Sequence, residues 1–505
     1  MADTAYRSIQ SIELDTASNL WSSLNGADEI IIYHHNFQNQ AEQLSSFRNL
    51  APEMRAVAVD SQDIYDEFGY GIVGADAIHE FLVYTYNSWQ APAPSYVLLI
   101  GDGNYDPKNH VYTRESFIPP YLAPVDPWIG ETAADNRYVT LDFEDTFPDM
   151  MLGRLAVNST DEASAFVDKI INYEQNTEQS DWKQRVLFIA DNADSDGNFP
   201  QSSDDLLECC LPAPYQSEKI YLGVTHPTSD QARSAIQNGI NSGNFIVNYI
   251  GHASATQWAS EGLFKSEDVA GLANDGMLPV MLTMTCYDGY YIYPHQSADG
   301  YDSTAEVITR ANGKGAIASW SPTGLGVSSG HEHLNQGFFE ALFYSGASTL
   351  GETTYAGKFN LWSTGNNLDL LDTYLLFGDP AMSMPVIPTT ITANDDEYQT
   401  DQDSLLTVST ADGVLKNDLG YDGFSLTTVI DLDANHGALS LGGDGSFTYM
   451  PEQNWNGTDI YTYRAFDGYK YSNVATVTIT VNPLQEKFFI FLPLLFNNTE
   501  SDITR

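Results

Sequence analysis

A chain of 505 residues is too long for one hydrophobic core and predicts about three or four domains. Its 21 basic and 68 acidic side chains leave a net charge of −47, which repels phosphate and anionic lipid and excludes a nucleic-acid binder; 42% hydrophobic residues exclude wholesale disorder. Three cysteines, Cys209, Cys210 and Cys286, are too few for a disulfide framework, and no apolar run approaches the ~20 residues of a membrane helix.

No signal sequence follows Met1, so an export signal is absent from this chain. From about Leu20, short apolar runs alternate with amphipathic stretches: Glu29 to Tyr33, Gln40 to Leu50, then Arg55 to Val59, which is βαβ spacing. Asp76 to Trp89 carries Ile78, Leu82, Val83 and Tyr86 at helical intervals and leads into the buried strand Tyr96 to Ile100. Glu162 to Tyr173 is again helical. A second unit begins with the strand Arg185 to Ala190 and continues through Phe245 to Ile250, Leu278 to Met284 and Gly315 to Trp320. Helical segments Ser229 to Gly239, Ser303 to Asn312 and Leu334 to Tyr344 separate these strands, as a mostly parallel sheet requires. After Phe377-Gly378-Asp379-Pro380 the composition shifts to Asp, Thr and Gly with period-two strands such as Ala475 to Val481, predicting an all-β sandwich over 389–483.

Two apolar strands end in reactive residues, one delivering His252 and the other Cys286. Side chains at the carboxyl ends of neighbouring parallel strands converge on one crevice. A thiol and an imidazole there suffice for acyl transfer: sulfur attacks a carbonyl, and the imidazolium protonates the leaving amine. Taken alone, a buried cysteine is more often a packing residue. His331 and His333, two apart on a helix, would face different sides and make no zinc pair; the adjacent Cys209 and Cys210 lack redox or zinc spacing and are expected to pack.

Asn248-Tyr249-Ile250-Gly251-His252-Ala253-Ser254 and Thr285-Cys286-Tyr287-Asp288-Gly289 resemble the histidine and cysteine motifs of gingipain-type peptidases, which share a caspase-like fold. Tyr65 to Phe68, Tyr96 to Asp102, Gly153-Arg154, Lys169 to Glu174 and Leu376 to Pro380 match in order, so the resemblance covers about residues 28 to 386. It implies an α/β fold, a caspase-like mostly parallel sheet with flanking helices in two subdomains, 1–180 and 181–388. It further implies Cys286 as nucleophile, His252 as general acid, and an oxyanion held by the backbone N–H groups of Cys286 and Ala253. The family usually has Gly where Ala253 stands, so a donor geometry that needs positive φ would be strained. Family register puts the histidine's carboxylate partner near Ala193, with Asp191 and Asp194 the nearest acids. In arginine-specific members a pocket aspartate falls on Asp204, which implies cleavage after arginine.

Asn192, Asp194 and Asp196, followed by Gly197, place oxygen ligands at alternate positions, a pattern that leaves a calcium loop and an ordinary polar loop both open. No cofactor is required for the chemistry, and structural calcium is the one ion expected. The rear domain resembles bacterial cadherin-like or immunoglobulin-like modules on Asn394-Asp395-Asp396, Gly413 to Asp418, Gly445 to Tyr449 and Tyr461-Thr462-Tyr463. A tail follows over 484–505, where Lys487 to Leu494 reads as a sorting or anchoring segment or as an edge strand. The leading expectation is a secreted or surface-attached bacterial cysteine endopeptidase acting on proteins or peptides. Its rival is a surface adhesin that keeps the fold without activity.

Overall fold

The computed structural model describes residues 18–484 apart from 52–53, 108–109, 111–113, 143–144, 177–179, 294–301, 387–390, 421–424 and 467–470. The apolar tail segment Lys487 to Leu494 lies outside the described residues. The chain divides into two compact units, Met1–Ile387 and Pro388–Arg505.

In the first unit the uninterrupted apolar runs become strands buried on both faces, as a sheet covered by helices demands. One ten-stranded sheet runs Ala56–Asp60, Glu29–Tyr33, Tyr96–Ile100, Met151–Leu155, Tyr374–Phe377, Ala318–Pro322, Val280–Met284, Ile246–Ile250, Arg185–Ala190, Gln216–Tyr221. The first five strands in this order are mutually parallel, as are the last five. The blocks meet at a single antiparallel joint, Trp320 opposite Leu376. Their carboxyl ends therefore lie at opposite edges of the sheet, and the edge carrying His252 and Cys286 is built by the second block alone. The strand Tyr374–Phe377, late in sequence, sits in space with the first block. There Gly153 and Gly378 come so close that a Cβ on Gly153 would lie 2.1 Å from the Gly378 carbonyl oxygen.

Buried ion pairs anchor the first block. Arg154 is wholly buried, binds Asp135 at 2.8 Å and donates to the Gly101 carbonyl at 2.8 Å, tying the ends of neighbouring strands. Arg48 binds Asp379 and Glu174 and lies 3.6 Å from Glu29, all in the interior. Cys209 and Cys210, expected to pack, are joined to each other by a disulfide. Adjacent partners enclose no chain loop, so this bond restricts the unfolded chain little and is no framework.

The second unit packs a four-stranded sheet, in the order Asp396–Asp401, Ala475–Asn482, Gly457–Phe466, Thr427–Leu432, against Leu406–Val408, Phe447–Pro451 and Gly437–Leu441. Alternate residues Val477, Ile479 and Val481 face Phe447, Tyr449, Tyr461 and Tyr463 in one core, the period-two pattern of a sandwich. Among the described residues no helix is long and apolar enough to cross a membrane.

Candidate active site

The strands Ile246–Ile250 and Val280–Met284 pair in parallel with Ile250 opposite Met284. His252 and Cys286 each stand two residues beyond those partners, so register alone delivers both to one cleft of about 520 Å³. Gly251 makes the exit from the first strand possible, because a Cβ there would fall 2.4 Å from the Cβ of Asp191 and 2.7 Å from the Tyr249 hydroxyl. The backbone after Cys286 is also constrained: Tyr287 sits in the left-handed region at φ 57, where a bulky side chain is uncommon and active-site turns store strain.

His252 is fixed from several sides. Its carbonyl accepts from the Tyr249 hydroxyl at 2.6 Å and from the Ala259 N–H at 2.7 Å, while Tyr249 stacks on Trp258 with rings 5° from parallel. The imidazole Nε2 meets Asp194 at 2.9 Å and Asp196 at 3.7 Å, and the edge of Phe199 packs on the ring at 5.3 Å. Of the two carboxylates expected to orient the imidazole, Asp194 makes the contact. The N–H of Asp196 and, secondarily, His252 hold its carboxyl below the usual range. Asp191 is buried, its carboxyl raised by desolvation, and it accepts from the backbone N–H of Asn192 and, at 3.4 Å, of His252. It shapes the loop rather than touching the ring. Of the calcium-loop candidates Asn192, Asp194 and Asp196, the two aspartates gather around His252 Nε2.

Among the described residues the Cys286 thiol has the Gly326 carbonyl as its partner, at 3.7 Å, and burial pushes the thiol upward. Ala253 lies in a short strand, Ala253–Ser254, paired to Gln257–Trp258, so its backbone is extended and the strain expected from losing glycine does not arise.

The apolar part of the cleft wall includes Phe199, Ile250, Met284, Leu325 and Val327; Ser195, Asp196 and Ser328 supply the polar part, and the buried His331 also lines the cleft. The structure does not bring Asp204 there, which corrects its expected place at the pocket base. Asp204 sits on the helix Phe199–Cys210, 44% exposed, pairing with Lys219 at 2.8 Å and accepting from the Tyr221 hydroxyl at 2.8 Å. It is Ser203, one residue earlier, that faces inward and is fully buried.

No role in the site was expected of two further groups, His331 and Asp288. Among the described residues His331 Nε2 has no hydrogen-bond partner, and desolvation lowers its imidazole to about 3, so it is neutral. Asp288, two residues past the thiol and buried, accepts from the Trp258 indole at 2.8 Å and the Ser321 hydroxyl at 3.1 Å; burial raises it to about 6. Trp258 belongs to the hairpin that follows His252, so this bond ties the cysteine turn to the histidine turn. Asp288→Ala should therefore lower kcat/KM by about a hundredfold through misplacement of the thiol while KM stays nearly constant. An unchanged kcat would show that the tie is structural only.

Comparison with known proteins shows the family. The family model described as peptidase family C25 matches residues 22–385, and a bacterial cadherin-like domain matches 388–483. Gingipain R2 of Porphyromonas gingivalis is 26% identical over 345 residues, 63% of this chain and 41% of that protein. Lys-gingipain of the same organism is 25% identical over 388 residues, 68% of this chain and 22% of that protein. The chain thus spans less than half the length of these curated relatives. The solved structure of the Arg-specific cysteine proteinase gingipain R shares the fold at a TM-score of 0.59 and 21% identity, covering 91% of this chain and 98% of that one.

Proposed function

The chain belongs to peptidase family C25, and from that premise we propose that it is a cysteine endopeptidase in which Cys286 is the nucleophile and His252 the general acid. The observation that carries the reading is the parallel register that sets both side chains two residues past paired strand ends, at one cleft.

The thiol rests protonated against Gly326 and gives its proton to His252 as sulfur attacks the scissile carbonyl carbon. With Nε2 engaged by Asp194, Nδ1 is the nitrogen left to exchange protons. The imidazolium then protonates the leaving amine, and water hydrolyses the thioester to return the free thiol. Backbone N–H groups of Cys286 and Ala253 are assigned to the oxyanion. The net charge of −47 supports an extracellular protein, and the substrates are proteins or peptides.

For the residue before the scissile bond, the cleft favours an uncharged apolar side chain. Its walls combine apolar side chains with the hydroxyls of Ser195 and Ser328, and the carboxylate lining it, Asp196, is 69% exposed and turned to His252. Arginine specificity is a property of the relative, gingipain R. Asp204→Asn is expected to leave kcat/KM unchanged for arginyl and leucyl peptides alike; a selective loss with arginyl substrates would return Asp204 to the pocket.

One observation favours the inactive-adhesin reading: the thiol is raised by burial and bonded to Gly326 rather than to His252. The deciding experiment is labelling by an irreversible thiol-directed peptidyl inhibitor. Stoichiometric modification of the wild type, absent in Cys286→Ala, supports the peptidase; a wild type that takes no label sinks it.

A further inference from the structure

The Cys209–Cys210 disulfide contributes little to holding the fold. Neighbours in sequence enclose no loop, and the helix Phe199–Cys210 that carries them is seated by the buried Phe199, Ser203 and Leu206. Cys210 is buried, whereas Cys209 is exposed and lines a groove of about 230 Å³ between this helix and the helix Ser328–Glu340. We propose that the pair is a site of reversible thiol–disulfide exchange, and that the thiol it takes is a small cationic aminothiol. This site is independent of the peptidase reading.

Exposure decides which sulfur is attacked, because exchange begins with a thiolate reaching a disulfide sulfur, and that sulfur is on Cys209. The thiolate bonds to Cys209 Sγ, the sulfur–sulfur bond breaks, and its electron pair leaves on Cys210 Sγ, which takes a proton from water. The aminothiol is then held on Cys209 as a mixed disulfide. Cys210 can attack back and expel it. Otherwise a second aminothiol removes the first as the symmetric disulfide, so that two reagent thiols are oxidised and the pair is reduced by two electrons to two thiols. The reduced state has a partner in place: the Leu206 carbonyl oxygen lies 3.3 Å from Cys209 Sγ, where a disulfide sulfur has no hydrogen to donate and a thiol has one. Both redox states therefore suit one fold. The charge of the groove selects the thiol. Asp205 accepts from Gln201 at 2.8 Å and Glu332 from Ser202 at 2.7 Å, and among the described residues neither carboxylate is paired with a cation. An ammonium group is drawn to both, while an anionic thiol is repelled by them and by a chain of charge −47.

The test uses the full-length chain carrying Cys286→Ala, which leaves Cys209 and Cys210 as its cysteines. The protein is exposed to cysteamine without denaturant, alkylated with iodoacetamide and mapped by mass spectrometry. Both cysteines are expected to become alkylated, in a protein that still melts cooperatively at the temperature of the oxidised form. At matched thiolate concentration cysteamine should react about tenfold faster than mercaptopropionate, and Asp205→Asn combined with Glu332→Gln should erase that preference. Offered cystamine, the symmetric disulfide, Cys210→Ser should hold one aminothiol on Cys209, while Cys209→Ser, whose remaining thiol is buried, should hold none. A disulfide that resists cysteamine until the protein is denatured is structural and overturns the site. Equal rates with the two reagents, or a preference indifferent to the two carboxylates, overturn the aminothiol class. A capped Cys210 in Cys209→Ser overturns the order of attack.

Discussion

Cys286→Ala is expected to abolish peptide hydrolysis and leave the unfolding temperature where it was. Among the described residues the thiol makes one long hydrogen bond, to Gly326, and the strand that carries it is held by Val280, Leu282 and Met284, all buried. Removing sulfur therefore deletes the nucleophile without opening a core cavity. His252→Ala is expected to lower kcat/KM by roughly 10²- to 10⁴-fold, the range by which a positioned acid or base accelerates such steps. The two variants separate under a small alkylating agent: Cys286 should still react in His252→Ala, because alkylation expels no amine. Near-normal turnover in Cys286→Ala would dismiss this site altogether. Loss of alkylation in His252→Ala would point to collapse of the cleft instead of loss of a proton donor.

What the sequence made legible follows the strength of its local signals. Tyr96–Ile100 and Arg185–Ala190 occur at the residues expected, since five or six apolar residues between turn formers leave little choice. The cleft was equally legible, because both reactive residues follow their apolar runs at equal distance. Weaker signals hid the rest. Met151–Leu155 is interrupted by Gly153 and Arg154, Gln216–Tyr221 is a partly exposed edge strand, and Tyr374–Phe377 has only four residues. Asp204 shows the limit of matching by register. Successive residues on a helix turn by about 100°, so Ser203 is buried while Asp204, which shares the Tyr221 hydroxyl with it, reaches the surface and pairs with Lys219 of the edge strand. His331 had a signal that could have found it: with Leu334, Asn335 and Phe338 it completes the buried face of the helix Ser328–Glu340 at i, i+3, i+4 and i+7. The Asp288 to Trp258 bond had none, because thirty residues of chain separate the partners and only the fold brings them together.

Stability should fall as pH rises, and the cause lies far from the cleft. Arg48 is the cation facing three interior carboxylates, Glu29, Glu174 and Asp379. One positive charge cannot balance three negative ones in a buried site, so a proton is retained. Glu29 is the group that keeps it: it is wholly buried, and desolvation together with the neighbouring Asp379 holds its carboxyl well above the ordinary value of 4.5. Above that value the unfolded chain releases this proton while the folded protein keeps it. The contribution of Glu29 is therefore fully present below pH 4.5 and is lost, by up to about 1.4 kcal/mol for each pH unit, as pH climbs through the folded value. Glu29→Gln cannot ionise, so it should remove this slope and be more stable than the wild type on the alkaline side. Arg48→Met leaves the carboxylates uncompensated and should cost about 3–5 kcal/mol, most severely where all three are ionised. Denaturant midpoints of the three proteins across a pH series check both effects. Parallel curves for the wild type and Glu29→Gln would mean that Glu29 holds no proton and that the interior charge is balanced elsewhere.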